Sequence, residues 1–244
     1  MGVFNYEKDN QGIVTVTMDM SGPVNAINAE YNDAMDETVQ RLEKEEGLTG
    51  VIFASAKKVF FAGADLNELV LMDENGSEEL FANGEFIKGH FRRLEKLPVP
   101  VVAAINGAAL GGGYELSLAC NHRIAFNHKS VQIGLPECAI GVYPAGGGVV
   151  RLTKLIGVEK ALDIILKSQR LTPEKALAGG LIDEVVESID DLLPRARAWI
   201  SENVDNKEAI AQPWDRKGYK VPGGAINSPR NAQFAAMAPT MLHK

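Results

Sequence analysis

Apolar residues recur along this chain with two different periods, and the switching between them outlines its elements. Ile13 to Met18 (IVTVTM) alternates like a strand with one face buried, and Asp19 to Pro23 reads as the turn that ends it. From about Asn28 to Glu46 the spacing becomes helical, with Tyr31, Met35, Val39 and Leu42 on one stripe, charges between them and Gly47 as the stop. Gly50 to Ser55 is a short apolar strand. A helix from about Glu79 to Leu97 leads to Pro98 and Pro100, which bracket the entry to a buried strand, Val99 to Ile105. Arg123 to Phe126 and Val131 to Ile133 read as two short strands, and helices are expected near Val149 to Leu155 and over Val158 to Leu166. Thr172-Pro173-Glu174 opens a helix that stops at Gly179-Gly180. Leu181 to Val186 is strand-like, and Ser188 with Asp191 marks a capped helix to about Glu202. After Val204 the pattern gives way to a polar, Pro- and Gly-containing stretch with at most a short helix near Asn231 to Met237.

Strands alternating with helices predict an α/β protein without internal repeats. A length of 244 residues suits one sizeable domain, residues 1–203, followed by a tail or linker, residues 204–244. The chain is 45% apolar and 23% charged, an ordinary globular balance. Its net charge of −7 argues against a general nucleic-acid surface, and no apolar run approaches a membrane span. The first residues hold no signal core or transit pattern, and Tyr6 stands where a myristoylation start needs Ser or Thr. Cys120 and Cys138 lack metal-ligand or redox spacing and read as reduced core residues. The expectation is a cytoplasmic protein.

The candidate chemistry lies between Val99 and Gly148. There the glycine run Gly111 to Gly113 separates an apolar strand from an apolar helix, Glu115 follows two residues later, and Glu137 sits in a Leu-Pro-Glu turn. A glycine loop at a helix start offers unpaired N–H groups to negative charge. Upstream, Ala62, Gly63 and Ala64 precede Asp65, which could cap a helix opened by Leu66 to Leu69. One N–H from each loop would make an oxyanion hole, and two carboxyls in unlike surroundings can act as proton donor and acceptor. Each loop alone also suits an ordinary turn. Glu115 also suits a helix dipole, and Glu137 an exposed turn. The polar run Met72 to Leu80 is either cover for a ligand or a solvated loop. His90, His122, His128 and His243 show no metal-ligand pattern.

FFAGADLNEL, PVVAAINGAALGGGYELSLACNHRIAF and IGLPECAIGVYPAGGGVVRLTKLIG together resemble the crotonase superfamily, specifically the enoyl-CoA hydratases, and the likeness runs from about Ile13 to Glu202. The resemblance implies a spiral of ββα units that assembles into trimers or dimers of trimers. It implies an acyl-CoA thioester as substrate, with coenzyme A entering only as part of it and no other cofactor. By motif, the oxyanion hole falls on the N–H groups of Ala64 and Gly112, and the hydratase glutamates on Glu115 and Glu137. Glu115 is then the base toward water and Glu137 the acid toward C2. Ala62, Gly63, Asp65, Gly111, Tyr143 and Pro144 are expected to line the substrate, although core packing suits Tyr143 equally. Lys57, Lys58 and Arg92 are candidates for the CoA phosphates by charge. The implied activity is 2-enoyl-CoA hydration in fatty-acid β-oxidation. Its rivals are Δ3-Δ2-enoyl-CoA isomerisation and non-catalytic acyl-CoA binding. The turn SGPVNAIN is more similar to the hydratase part of multifunctional fatty-acid oxidation proteins, and the tail PWDRKGYKVPGG resembles the connecting region before their dehydrogenase part, of which no dinucleotide fingerprint is seen here. The C-terminal helices that support the usual trimer are therefore not expected in full.

Overall fold

The structure is a computed structural model that describes residues 3–65 and 77–242, without the side chains of 77 and 238–242. Its strands are β1 (Phe4–Lys8), β2 (Ile13–Met18), β3 (Gly50–Ser55), β4 (Val101–Ile105), β5 (Ala109–Leu110), β6 (His122–Phe126), β7 (Ile133–Gly134) and β8 (Glu184–Val186). Its helices are α1 (Ala29–Lys44), α2 (Ser77–Glu95), α3 (Gly112–Ala119), α4 (Gly148–Ile156), α5 (Val158–Leu166), α6 (Pro173–Gly179), α7 (Leu192–Asn203), α8 (Lys207–Ile210) and α9 (Pro229–Leu242).

Strands β1-β2-β3-β4-β6-β8 form a six-stranded sheet in that order, antiparallel only between β1 and β2. The remaining pairs are parallel because helices or long connections carry the chain back between them. Both faces of the central strands are covered. Val14, Val16, Val51, Phe53, Val101 and Ala103 enter the main core, while Ile13, Ile52, Val102, Ala104 and Ile124 meet Leu192, Ala196 and Ile200 of α7. That explains why β2 is buried almost throughout rather than on one face, as its alternation had implied. At Gly50 a side chain would strike Ile200, so the missing Cβ lets α7 lie close on the sheet.

A second, two-stranded sheet pairs β5 with β7 in parallel. Single bridges extend it on both sides, Phe61 with Ala109 and Ile133 with Leu171, and a further bridge joins Ile27 to Ala64. This row of short backbone pairings organises the site.

Several expectations are corrected. The edge strand β1 was not anticipated, because FNYEK buries only Phe4 among polar neighbours. The α1 helix starts after its Asn28 cap, whose side chain accepts the Tyr31 N–H, and it ends at Lys44, ahead of Gly47. Ser188 caps a 3-10 turn, Ile189–Asp191, that runs into α7. Cys138 is half-buried, not a core residue. The segment after Asn203 holds the 14-residue α9 and is tied to the body. Gln212, 1% exposed, donates to the carbonyls of Ala119 and Cys120, and Asn121 donates back to Ile210. Tyr219 donates to the Lys154 carbonyl. The helix expected at Leu66 to Leu69, and most of the Met72 to Leu80 run, lie outside the described residues.

Candidate active site

The β5·β7 pair delivers two carboxyls to one place. Gly111, directly after β5, donates its N–H to Gly134 at the end of β7 at 3.0 Å. From Gly111 the chain turns into α3, and Glu115 lies one turn in; from Gly134 it passes Leu135 and Pro136 to Glu137, the first residue of a 3-10 turn, Glu137–Ile140. Gly111 makes this bend with φ 54°, a left-handed value that favours glycine.

The upstream loop comes alongside. Leu110 donates to Phe61 and Phe61 to Ala108, which sets Gly63 against the glycine run. A Cβ on Gly63, whose φ is 99°, would lie 3.6 Å from the Gly112 nitrogen and 3.7 Å from the Gly111 Cα. In the bridge to Ile27, the Gly63 carbonyl accepts the Ile27 N–H and the Asp65 N–H donates to Ile27. The Ala64 N–H, between them in extended backbone, is directed to the other side. Gly112 is the first residue of α3, where an N–H has no intrahelical acceptor. Among the described residues, neither N–H is bonded to a loop carbonyl.

Glu115 is 3% exposed, and its Oε1 accepts the Gly148 N–H at 2.7 Å. The N–H of Gly146 also faces this carboxylate. Both glycines are needed for close approach, since a Cβ on Gly146 would sit 2.6 Å from Glu115 Oε2 and one on Gly148 2.9 Å from Oε1. Burial raises the pKa of Glu115, while the two N–H groups and then the charges of Arg151 and Lys88 oppose the rise. Glu137 has only its own backbone N–H in support. Burial, followed by the charge of Glu115, pushes its pKa up to about 7. Its Oε1 lies 3.0 Å from where a Gly111 Cβ would be, and its buried Oε2 has no hydrogen-bond partner among the described residues. The two neighbouring acids thus sit in unlike surroundings: two N–H groups face Glu115, while Glu137 Oε2 has no partner among the described residues.

The other candidates divide. Ala62 donates to the Asn25 carbonyl and, like Ala64, is exposed beside buried Gly63; Asp65 is half-buried. Pro144 is buried, but Tyr143 is 72% exposed, which removes core packing as its role. Arg92 is committed to Glu95 and Asp215, and Lys57 pairs with Asp19 at 2.7 Å, whereas Lys58 is exposed. His90 bonds Asp36 and His122 stacks on Trp199, while His243 is outside the described residues. No cluster of three or more His, Cys, Asp or Glu side chains fit to hold a metal occurs among the described residues. No described helix is long and apolar enough to cross a membrane.

The profile of the enoyl-CoA hydratase/isomerase family matches residues 8–215. The chain belongs to this family. Curated relatives include the fatty acid oxidation complex subunit alpha of Shewanella halifaxensis (strain HAW-EB4), 39% identical over 190 residues that make up 76% of this chain and 26% of that protein. The subunit of the same name from Psychrobacter sp. (strain PRwf-1) is 42% identical over 184 residues, 75% of this chain and 25% of that one. The match thus spans about a quarter of the length of these relatives. Among solved structures, an enoyl-CoA hydratase from Bacillus anthracis superposes with a TM-score of 0.78 at 29% identity, covering 98% of this chain and 90% of that one. The crotonase-like α/β fold expected from the motifs is the fold this enoyl-CoA hydratase/isomerase family member shares with that structure.

The family match encloses residues at the site that the sequence reading had not singled out: the amides of Gly146 and Gly148, and Arg151 with Glu95 behind them. The signal for the amides was present, a second glycine cluster at a helix start, the same arrangement as at Gly111.

Proposed function

We propose that this chain is an enoyl-CoA hydratase that adds water across the C2=C3 bond of a 2-enoyl-CoA thioester in fatty-acid β-oxidation. The observation that supports the proposal is that the β5·β7 pair carries Glu115 and Glu137 on its two rails, next to a glycine run and the Gly63 loop whose Gly112 and Ala64 N–H groups have no backbone carbonyl partner among the described residues. Those N–H groups donate to the thioester oxygen as it gains negative charge, which makes C3 electrophilic; losing one such donor costs on the order of 3 kcal/mol of barrier. Glu115, the better-supported carboxylate, takes a proton from water as the water oxygen bonds to C3. Glu137 gives its proton to C2, and the π electrons of the double bond form the new C–H bond. The product is a 3-hydroxyacyl-CoA, and proton exchange with solvent resets the two acids. Coenzyme A takes part only as a portion of the substrate, and no other cofactor is invoked. In this reading Ala62, Gly63, Asp65, Gly111, Tyr143 and Pro144 line the substrate.

A cytoplasmic setting and a homotrimer, or a dimer of trimers, belong to the same reading. Free thiols at Cys120 and Cys138 support the first, and exposed Ile140, Val142, Tyr143 and Val150, which a second copy would cover, support the second. Light scattering after size exclusion reads the assembly directly.

The activity test is loss of the conjugated thioester's absorbance with crotonyl-CoA. Turnover by the purified protein, lowered about a hundredfold or more in Glu137→Gln and retained in the surface variant Lys167→Gln, is the expected result. Conversion of a 3-enoyl-CoA without hydration would instead establish the isomerase, and binding without turnover the non-catalytic module.

A further inference from the structure

The amides that hold Glu115 are themselves clamped from behind. Arg151, 7% exposed on the first turn of α4, donates from Nη1 to the Gly146 carbonyl at 3.0 Å and from Nε to Glu95 Oε1 at 2.6 Å. The Gly146–Gly148 loop therefore lies between a carboxylate on one side and a guanidinium on the other. Glu95, at the end of α2, is 5% exposed, and its second oxygen takes Arg92 Nη1 at 2.6 Å. Arg92 in turn grips Asp215 with two bonds of 2.9 and 2.8 Å. One connected set of charges thus runs from the segment after α8, through α2 and α4, to the loop around Glu115.

We infer that Arg151, fixed by Glu95, is a positioning residue of the hydration site that sets the Gly146–Gly148 amides on Glu115. The inference rests on the proposed function of Glu115 as base. Desolvating Arg151 and Glu95 together is costly, and further hydrogen bonds to the Gly146 carbonyl and from Arg92 offset part of that cost. A buried ion pair is weak evidence for stability, so its placement behind a loop with no side chains of its own calls for another reason. The glycines supply it. A loop of three consecutive glycines, Gly146 to Gly148, one at φ 104°, has the greatest backbone freedom to lose, and the Arg151 bond to its carbonyl removes that freedom.

The charge around Glu115 can be counted element by element. Arg151 of α4 and Lys88 of α2 favour its ionised form; Glu137 of the 3-10 turn and the phenol of Tyr31 on α1 are the other titratable groups interacting with it. Arg151 both supplies charge and orders the amides. Replacing it with a neutral side chain removes both supports, so protonated Glu115 persists to higher pH and the acid limb of the rate profile moves upward.

Three proteins decide the matter: the wild-type chain, Arg151→Gln and Arg151→Lys, each as the full chain. With crotonyl-CoA, Arg151→Gln is expected to lower kcat at least tenfold with KM within about threefold, and to move the acid limb of kcat/KM to higher pH. Arg151→Lys keeps the charge but cannot reach both Glu95 and the Gly146 carbonyl with a planar fork, so it restores the limb while kcat stays depressed. In parallel, the Glu115 carboxyl is followed by carbon-13 chemical shift in labelled protein, assigned with Glu115→Gln. It titrates at higher pH in Arg151→Gln than in wild type. A lower melting temperature with unchanged limb, unchanged Glu115 titration and unchanged kcat per folded molecule would reduce Arg151 to a structural residue and overturn the inference. If Arg151→Gln does not fold, an Arg151→Lys protein with wild-type kcat overturns it as well. Absence of hydration by the wild-type chain would sink the functional reading alone, since the carboxyl titration still reports whether Arg151 tunes Glu115.

Discussion

Glu115 and Glu137 are the same chemical group placed in opposite kinds of ground. Around Glu115 the chain has assembled two backbone donors and a cation backed by a second ion pair. Around Glu137 it has assembled partial burial, an oxygen with no partner among the described residues and the negative field of its neighbour. Burial alone would protonate both. The two carboxyls thus differ in what offsets their burial rather than in burial itself.

The comparison is broken most severely by removing either carboxyl. Glu115→Gln and Glu137→Gln should each lower kcat by about a hundredfold or more while preserving the melting transition, as measured with crotonyl-CoA and by circular dichroism. Next in size is the pH response. If Glu137 must be protonated, kcat/KM falls as pH rises through about 7, close to tenfold per unit beyond it; a flat alkaline profile would remove it as the acid. A methyl group at Gly146 sharpens the contrast from the Glu115 side. Its Cβ would press on Oε2 at 2.6 Å, and a loss of about tenfold in kcat is expected from Gly146→Ala, since small misplacements of a catalytic group are costly. The smallest effect is on stability. Folded, Glu137 binds its proton more tightly than an ordinary glutamate does, so it works against folding as pH climbs from the usual carboxylate range to about 7. Glu137→Gln removes that burden. It should therefore stabilise the protein by about 1 kcal/mol more at pH 8 than at pH 4, after allowing for solvent screening of a half-buried group. Urea unfolding at the two pH values checks this.

Local patterning made a large part of the fold legible. Helix α5 runs Val158–Leu166, as its spacing implied, and α6 follows its Thr172-Pro173 start to Gly179, because those signals depend on neighbours three or four residues away. Both carboxyls and both loops were visible in the motifs. What lay hidden depends on long separations. The β5 and β7 strands have only two residues each and exist because they pair with one another. The Gly148 to Glu115 bond joins positions 33 apart, and the Arg92 to Asp215 bond positions 123 apart, so no window of sequence contains either. QPWDRKGYKVPGG looked like a linker by composition, yet Gln212 and Asp215 within it serve the body of the protein.

The Gln212 side chain has a consequence for anyone wishing to transplant this unit. It occupies two carbonyls at the end of the short helix that starts with the glycine run and carries Glu115. An excision made at the apparent seam, just past Asn203, would strip the cover from those carbonyls and cut away the anchor of Arg92 in the same stroke. The smallest portable piece of this chain therefore extends at least through Tyr219, whose hydroxyl is the next fastening onto α4.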